Sequence, residues 1–135
     1  MPTGNVCAPG LLFMQTGKLI YSILNSSSKT HLKNKWVTGE ADAYGDSLIR
    51  HIINGDTVLT YTKTMIGEGF VSTDFSWAQE RITDSMFWIN KANTPLKEGS
   101  IALQARATRL TCRNIELPNL EGCMDPKIKI IRIIL

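Results

Sequence analysis

Two carboxylates, Glu40 and Asp42, stand two residues apart in the run KWVTGEADAY. On a strand that spacing puts both on one face, roughly 7 Å apart. A pair so placed could serve as the acid and base of a glycosidase. Trp36, Thr38 and Tyr44 share the face, which then reads either as a sugar platform or as an ordinary solvent surface. The two histidines, His31 in a loop and His51 on a strand, nearly exclude a multi-histidine metal site. Cys7, Cys112 and Cys123 fit neither a zinc spacing nor a CxxC redox motif, so no metal is expected and no cofactor is identified. A pairing of Cys7 with Cys123 would require the two ends of the chain to meet. Neither a nucleotide-binding glycine loop, HExxH, GxSxG nor a serine-type triad can be assembled.

The elements that must position these residues centre on Lys35–Lys63. This stretch reads as a strand, a turn at Gly45-Asp46, a second strand, an Asn54-Gly55-Asp56 turn and a third strand. Asn-Gly between β-rich runs is a strong hairpin signal because both residues tolerate φ > 0. In the first strand Val37, Gly39, Ala41 and Ala43 form a small apolar face suited to an interior. In the second, Ile49, His51 and Ile53 face one way and Leu48, Arg50 and Ile52 the other; both sides are mixed, and the inward one is left open. Upstream, Leu11–Met14 and Lys18–Leu24 read as strands about Gln15-Thr16-Gly17, followed by the polar loop NSSSKT. Downstream, 64–98 is a long aromatic-bearing insertion, with room for a short helix within Ser76–Asn90. Two closing strands are expected at Ser100–Ala107 and Leu110–Leu117, the latter with a bulge near Arg113-Asn114 where the alternation slips. Some seven short strands with little helix predict an all-β antiparallel sandwich.

The chain has 135 residues, enough for one modest core, with 43% hydrophobic and 20% charged residues. Its net charge of +3 is spread along the chain, and no basic cluster interleaves with aromatics, so no nucleic-acid partner is expected. No run approaches transmembrane length, no membrane partner is expected, and no signal peptide is visible. Composition leaves the oligomeric state open.

Four blocks carry a family resemblance: KWVTGE, SLIRHIINGDTVLTYTK, ITDSMFWINKANTPLKEGSIALQ and CRNIELPNLEGCMDPK. Together they resemble the bacterial 3-keto-disaccharide hydrolase domain, a relative in fold of the family-16 glycoside hydrolases and concanavalin A-like lectins and glucanases. The likeness spans residues 5–127 and keeps the family's order of blocks. It implies a jelly-roll sandwich of that type, incomplete at its N-terminus, acting on sugars in a periplasmic or secreted setting. One domain is thus expected at 1–127, with IKIIRIIL giving a divergent, aggregation-prone apolar tail at 128–135.

The implied chemistry needs one base and one stabiliser of an oxyanion. A ketone at C3 of the sugar acidifies the C2 hydrogen. Removal of that proton gives an enolate, the aglycone leaves from C1, and water then adds. By resemblance, Glu40 or His51 is the base, and Arg50, Gln104, Arg113 and Trp36 bind substrate. The chain departs from the family at Arg106 and Thr108, where an acidic residue and a histidine are usual, and at His31-Leu32. Ile23 stands where a cysteine is common, leaving Cys7 without the partner the family implies. Two readings stand beside the hydrolase: a non-catalytic carbohydrate-binding sandwich that uses Trp36, Tyr44 and the insertion aromatics, and a degenerate fragment without independent function.

Overall fold

The computed structural model describes residues 2–31, 35–45, 47–67, 76–79, 81–97, 102–104 and 111–116, and the backbone of 128–134. The strands are β1 (Val6–Gln15), β2 (Lys18–Leu24), β3 (Thr38–Tyr44), β4 (Leu48–Ile53), β5 (Asp56–Ile66), β6 (Arg113–Glu116) and β7 (Ile128–Ile134), with one short helix, α1 (Ser85–Asn90). Every strand pairing is antiparallel, in the order β2-β1-β5-β4-β3-β7-β6. The protein is all-β.

Local chemistry places the hairpins. Thr16-Gly17 closes β1 onto β2 and Asn54-Gly55 closes β4 onto β5, each with both residues at positive φ. That is the turn whose twist matches the strands it joins. The turn between β3 and β4 is held by Ser47, whose N–H and hydroxyl both donate to the Tyr44 carbonyl.

β5 serves two edges. Its first half pairs with β4 up to Ile49↔Tyr61, and its second half pairs with β1 from Met14↔Thr62 to Leu11↔Ile66. Between them Lys63 takes φ 48° at a register shift, a bulge that bends the strand. β1 is itself interrupted at Pro9-Gly10, where Pro9 has no N–H to donate and Gly10 has φ 82°. The start of the chain therefore crosses the face of the β4–β5 hairpin. Gly4 lies so close to it that a Cβ there would meet Ile53 and Val58 side-chain carbons at 3.1 and 3.2 Å.

This fold-over creates the core. Phe13, Leu24, Leu59 and Tyr61 are buried together, with Val6, Leu11, Ile20 and Ile49 against them. Phe13 meets the Tyr61 ring edge-on at 5.1 Å, a favoured aromatic geometry.

Toward the C-terminus the strands differ from expectation. Ile128–Ile134, expected as a tail apart from the domain, pairs with β3 in unbroken register from Thr38↔Ile134 to Tyr44↔Ile128. A run rich in β-branched residues suits a strand flanked on both sides. On β6, the four residues from Arg113 to Glu116 stand opposite three on β7 (Ile134 to Arg132), and Asn114 takes φ 51°. That is the expected bulge. Ala102–Gln104 is exposed and not in a strand; the rest of the strand expected at Ser100–Ala107 lies outside the described residues.

Candidate functional site

Sheet register sorts the candidate residues onto two faces. Directly opposed residues share a face, so Asp42↔Arg50 and Glu40↔Ile52 point one way, while Ala41↔His51 and Gly39↔Ile53 point the other. The second face is the inward one: Ile53 is buried and Ile49 packs on the core. Glu40 and His51 therefore lie on opposite sides of the sheet. The two candidate bases do not belong to one site.

His51 is a packed residue. Its Nδ1 lies 2.7 Å from the Gly4 carbonyl oxygen, which can only accept, so Nδ1 carries the proton and donates. Nε2 is then free to accept from the Tyr61 hydroxyl at 3.3 Å. The Tyr61 ring also meets the imidazole edge-on at 5.6 Å. Burial lowers the His51 pKa below its usual 6.5, against the opposing pull of the Gly4 bond, and burial pushes the Tyr61 hydroxyl up to about 12. Both are neutral at pH 7.

On the outward face Arg50 is engaged rather than offered to a substrate. Its Nη2 donates to Asp42 Oδ2 at 2.9 Å and to the Tyr44 hydroxyl at 2.6 Å, and its guanidinium stands 5.2 Å from the Tyr44 ring centroid. Asp42 is buried beneath this clamp, and the Arg50 Nε, also buried, has no hydrogen-bond partner among the described residues. Of the Glu40–Asp42 pair, Asp42 is thus held by Arg50.

Trp36 and Arg113 are brought together. The Arg113 guanidinium lies 4.0 Å over the indole, close enough for a strong cation–π contact. Both residues are exposed. Arg113 and Thr38 are each opposed to Ile134, and Glu116 and Glu40 are each opposed to Arg132. The β6 bulge allows Arg113 and Glu116 to share one side despite their odd spacing. The outward face thus presents Trp36, Arg113, Glu40 and Glu116 around the β3–β7–β6 edge. Gln104 lies off the sheet in an exposed segment, and Arg106 and Thr108 lie outside the described residues.

One concavity escaped the sequence. A groove of about 440 Å³ runs between Ser27–Lys29 with His31 on one side and Ile53–Val58 on the other, with Asn54 and Asp56 in its wall. The loop forming it is stitched in place. Ser26 Oγ donates to the Thr3 carbonyl, Ser26 N–H to Asn5 Oδ1, and the Ser27 N–H and hydroxyl to the Val58 carbonyl. His31 Nδ1 lies 3.1 Å from Thr3 Oγ1. Nothing in NSSSKT by itself signals this, because Thr3, Asn5 and Val58, the partners that anchor the loop, are distant in sequence. Among the described residues the Ser26 and Ser27 hydroxyls donate to backbone carbonyls, those of Thr3 and Val58.

Among the described residues no group of three or more His, Cys, Asp or Glu side chains could hold a metal. Cys7 and Cys112 are free thiols, the first exposed; Cys123 lies outside the described residues. Cys7 is directly opposed to Ile23. No family model, no curated protein and no solved structure matches this chain.

Proposed function

We propose that this chain binds carbohydrate on the outward face of its sheet, with the Trp36–Arg113 pair as the platform. The observation that carries this reading is the exposed indole under a guanidinium at 4.0 Å, on the face that bears Glu40 and Glu116. A pyranose has an apolar C–H face and a rim of hydroxyls. Stacking on the open part of an indole takes the first, and carboxylates with a guanidinium take the second.

A second reading, hydrolysis of 3-keto glycosides by elimination, is favoured by one specific arrangement. Of the two candidate bases, only Glu40 stands on the face with Arg113 and Trp36, and the reaction needs only one base. In that scheme Glu40 takes the C2 proton, Arg113 holds the enolate oxygen, the aglycone leaves C1 and water adds in its place. A jelly-roll sandwich and a periplasmic or secreted setting belong to the same reading; the fold-over of β1–β2 across β5 supports the first.

The test is titration calorimetry with a glucoside and its 3-keto counterpart, followed by product analysis. Trp36→Ala should abolish binding of both, with the thermal melt unchanged. Retained affinity in that variant would remove the platform. Glu40→Gln should retain binding and lose turnover of the keto sugar; if wild-type protein binds but turns over nothing, the hydrolase reading is wrong and the binding one remains.

A further inference from the structure

Helix α1 presents a surface that the sheet does not use. Met86, Phe87, Trp88 and Ile89 are 63%, 48%, 40% and 40% exposed, and the helix buries none of its residues. Four consecutive positions at about 100° each surround the whole circumference of a helix. A helix that docks on a protein keeps a polar side, and one that is apolar all round needs apolar surroundings on every side. A groove on a partner, or a second copy of this chain, covers one side only. The area also argues against such a partner. Four side chains so exposed offer on the order of 400 Å², about half of what a stable protein interface buries per partner.

The segment is held out on a firm base. Ile66 N–H donates to the Thr94 carbonyl, Asn93 N–H to the Ile66 carbonyl and Leu96 N–H to the Thr64 carbonyl, and Met65 bridges to Pro95. The end of β5 thus serves as a stem. Phe87 and Trp88 pack edge-to-face at 5.2 Å, and Lys91 Nζ lies 4.2 Å from the Phe87 ring. An aromatic pair with a lysine at its edge is the composition found at membrane–water interfaces, where rings sit at headgroup level and the ammonium reaches the phosphates. In the sequence Arg81, Lys91 and Lys97 are balanced by Glu80, Asp84 and Glu98, so the segment carries no net charge and the apolar side chains, not charge, must supply any affinity.

We propose that α1 is a membrane-surface wedge, which inserts Met86, Phe87, Trp88 and Ile89 into the interface of a bilayer, with Lys91 at the level of the headgroup phosphates. This departs from the sequence expectation of no membrane partner, which concerned spans; no helix among the described residues is long and apolar enough to cross a bilayer. Attachment to one leaflet needs no span.

The experiment is flotation of the full chain with phosphatidylcholine vesicles and with phosphatidylcholine–phosphatidylserine vesicles. Wild-type protein should float with both to a similar extent, and Phe87→Ser/Trp88→Ser should lose at least about tenfold in affinity. Because both side chains are exposed, the double variant should keep the wild-type thermal melt. A second measurement reads insertion directly. Brominated phosphatidylcholine should quench the tryptophan fluorescence of wild-type protein and spare that of Trp88→Phe. Absence of flotation, equal flotation of the double variant, or equal quenching in Trp88→Phe would overturn the proposal. So would a concentration-dependent dimer that the double variant abolishes, since the surface would then be a self-association site.

Discussion

Arg50 and His51 are neighbours in the chain and occupy different chemical worlds. Arg50 faces outward, where it clamps Asp42 and Tyr44 with part of its side chain in water. His51 faces inward, held between the Gly4 carbonyl and the Tyr61 hydroxyl. One residue of strand separates an engaged surface cation from a buried neutral imidazole. The lesson is that a list of polar residues at close spacing is not a site: on a strand, half of any such list belongs to the other side.

The inward face should dominate stability. Phe13→Ala removes a ring at the centre of the Tyr61–Leu24–Leu59 cluster. It should lower the unfolding free energy by about 3–5 kcal/mol, read by urea titration; a loss no larger than that of a surface substitution would mean that this face is not the core. Next comes a gain on the outer side of the β1–β2 hairpin. Cys7 and Ile23 are opposed and exposed, and opposed antiparallel residues have Cα separations that suit a disulfide. Ile23→Cys should oxidise with Cys7 and stabilise the protein by about 2–3 kcal/mol. Intact mass under non-reducing conditions reads the bond, and a variant that keeps all four of its thiols reduced would break the register.

His51→Asn should cost about 2 kcal/mol and also change the pH response. The folded His51 pKa lies below its unfolded value of 6.5. The unfolded chain therefore binds more protons in acid, and the His51 contribution is complete above about pH 6.5 and lost as pH falls through the folded value. Wild-type melting temperature should thus drop between about pH 7 and pH 5 more steeply than that of His51→Asn. Parallel curves for the two would show that His51 is not buried. The smallest effect belongs to the outward pair. Arg50→Ala should cost about 1–2 kcal/mol, because the Arg50 side chain is partly solvated while its partner Asp42 is mostly covered. Asp42→Ala in the same background should then cost little more, as a double-mutant cycle would show.

Much of the fold was legible because its signals are local. The Thr16-Gly17 and Asn54-Gly55 turns, the strands on either side of them, the short helix within Ser76–Asn90 and the bulge at Asn114 all follow from residues within a few positions of each other. The place of Ile128–Ile134 in the sheet was not legible, because its two charges, Lys129 and Arg132, stand three apart and give no period-two alternation. Its pairing with β3 is set some ninety residues away (Ile134 against Thr38). The candidate site was legible only in part. Trp36 and Arg113 do meet, whereas Glu40 and His51 do not, and the groove beside Asn54 went unseen.

What the chain by itself determined is parity. It placed Glu40 with Asp42 and Arg113 near a bulge, and it set His51 on the opposite side of its strand from Arg50, because side chains on a strand alternate whatever lies around them. What only the tertiary structure decided is which parity is inside. Leu48, Arg50 and Ile52 balance Ile49, His51 and Ile53 almost evenly in hydrophobicity, and no local rule separates them. The bend at Lys63 and the break at Pro9-Gly10 carry β1 across one side of β4, bringing Gly4 onto His51 and Phe13 onto Tyr61. Burial is a property of what covers a face, and the cover here comes from forty-seven residues away, the separation of Gly4 and His51.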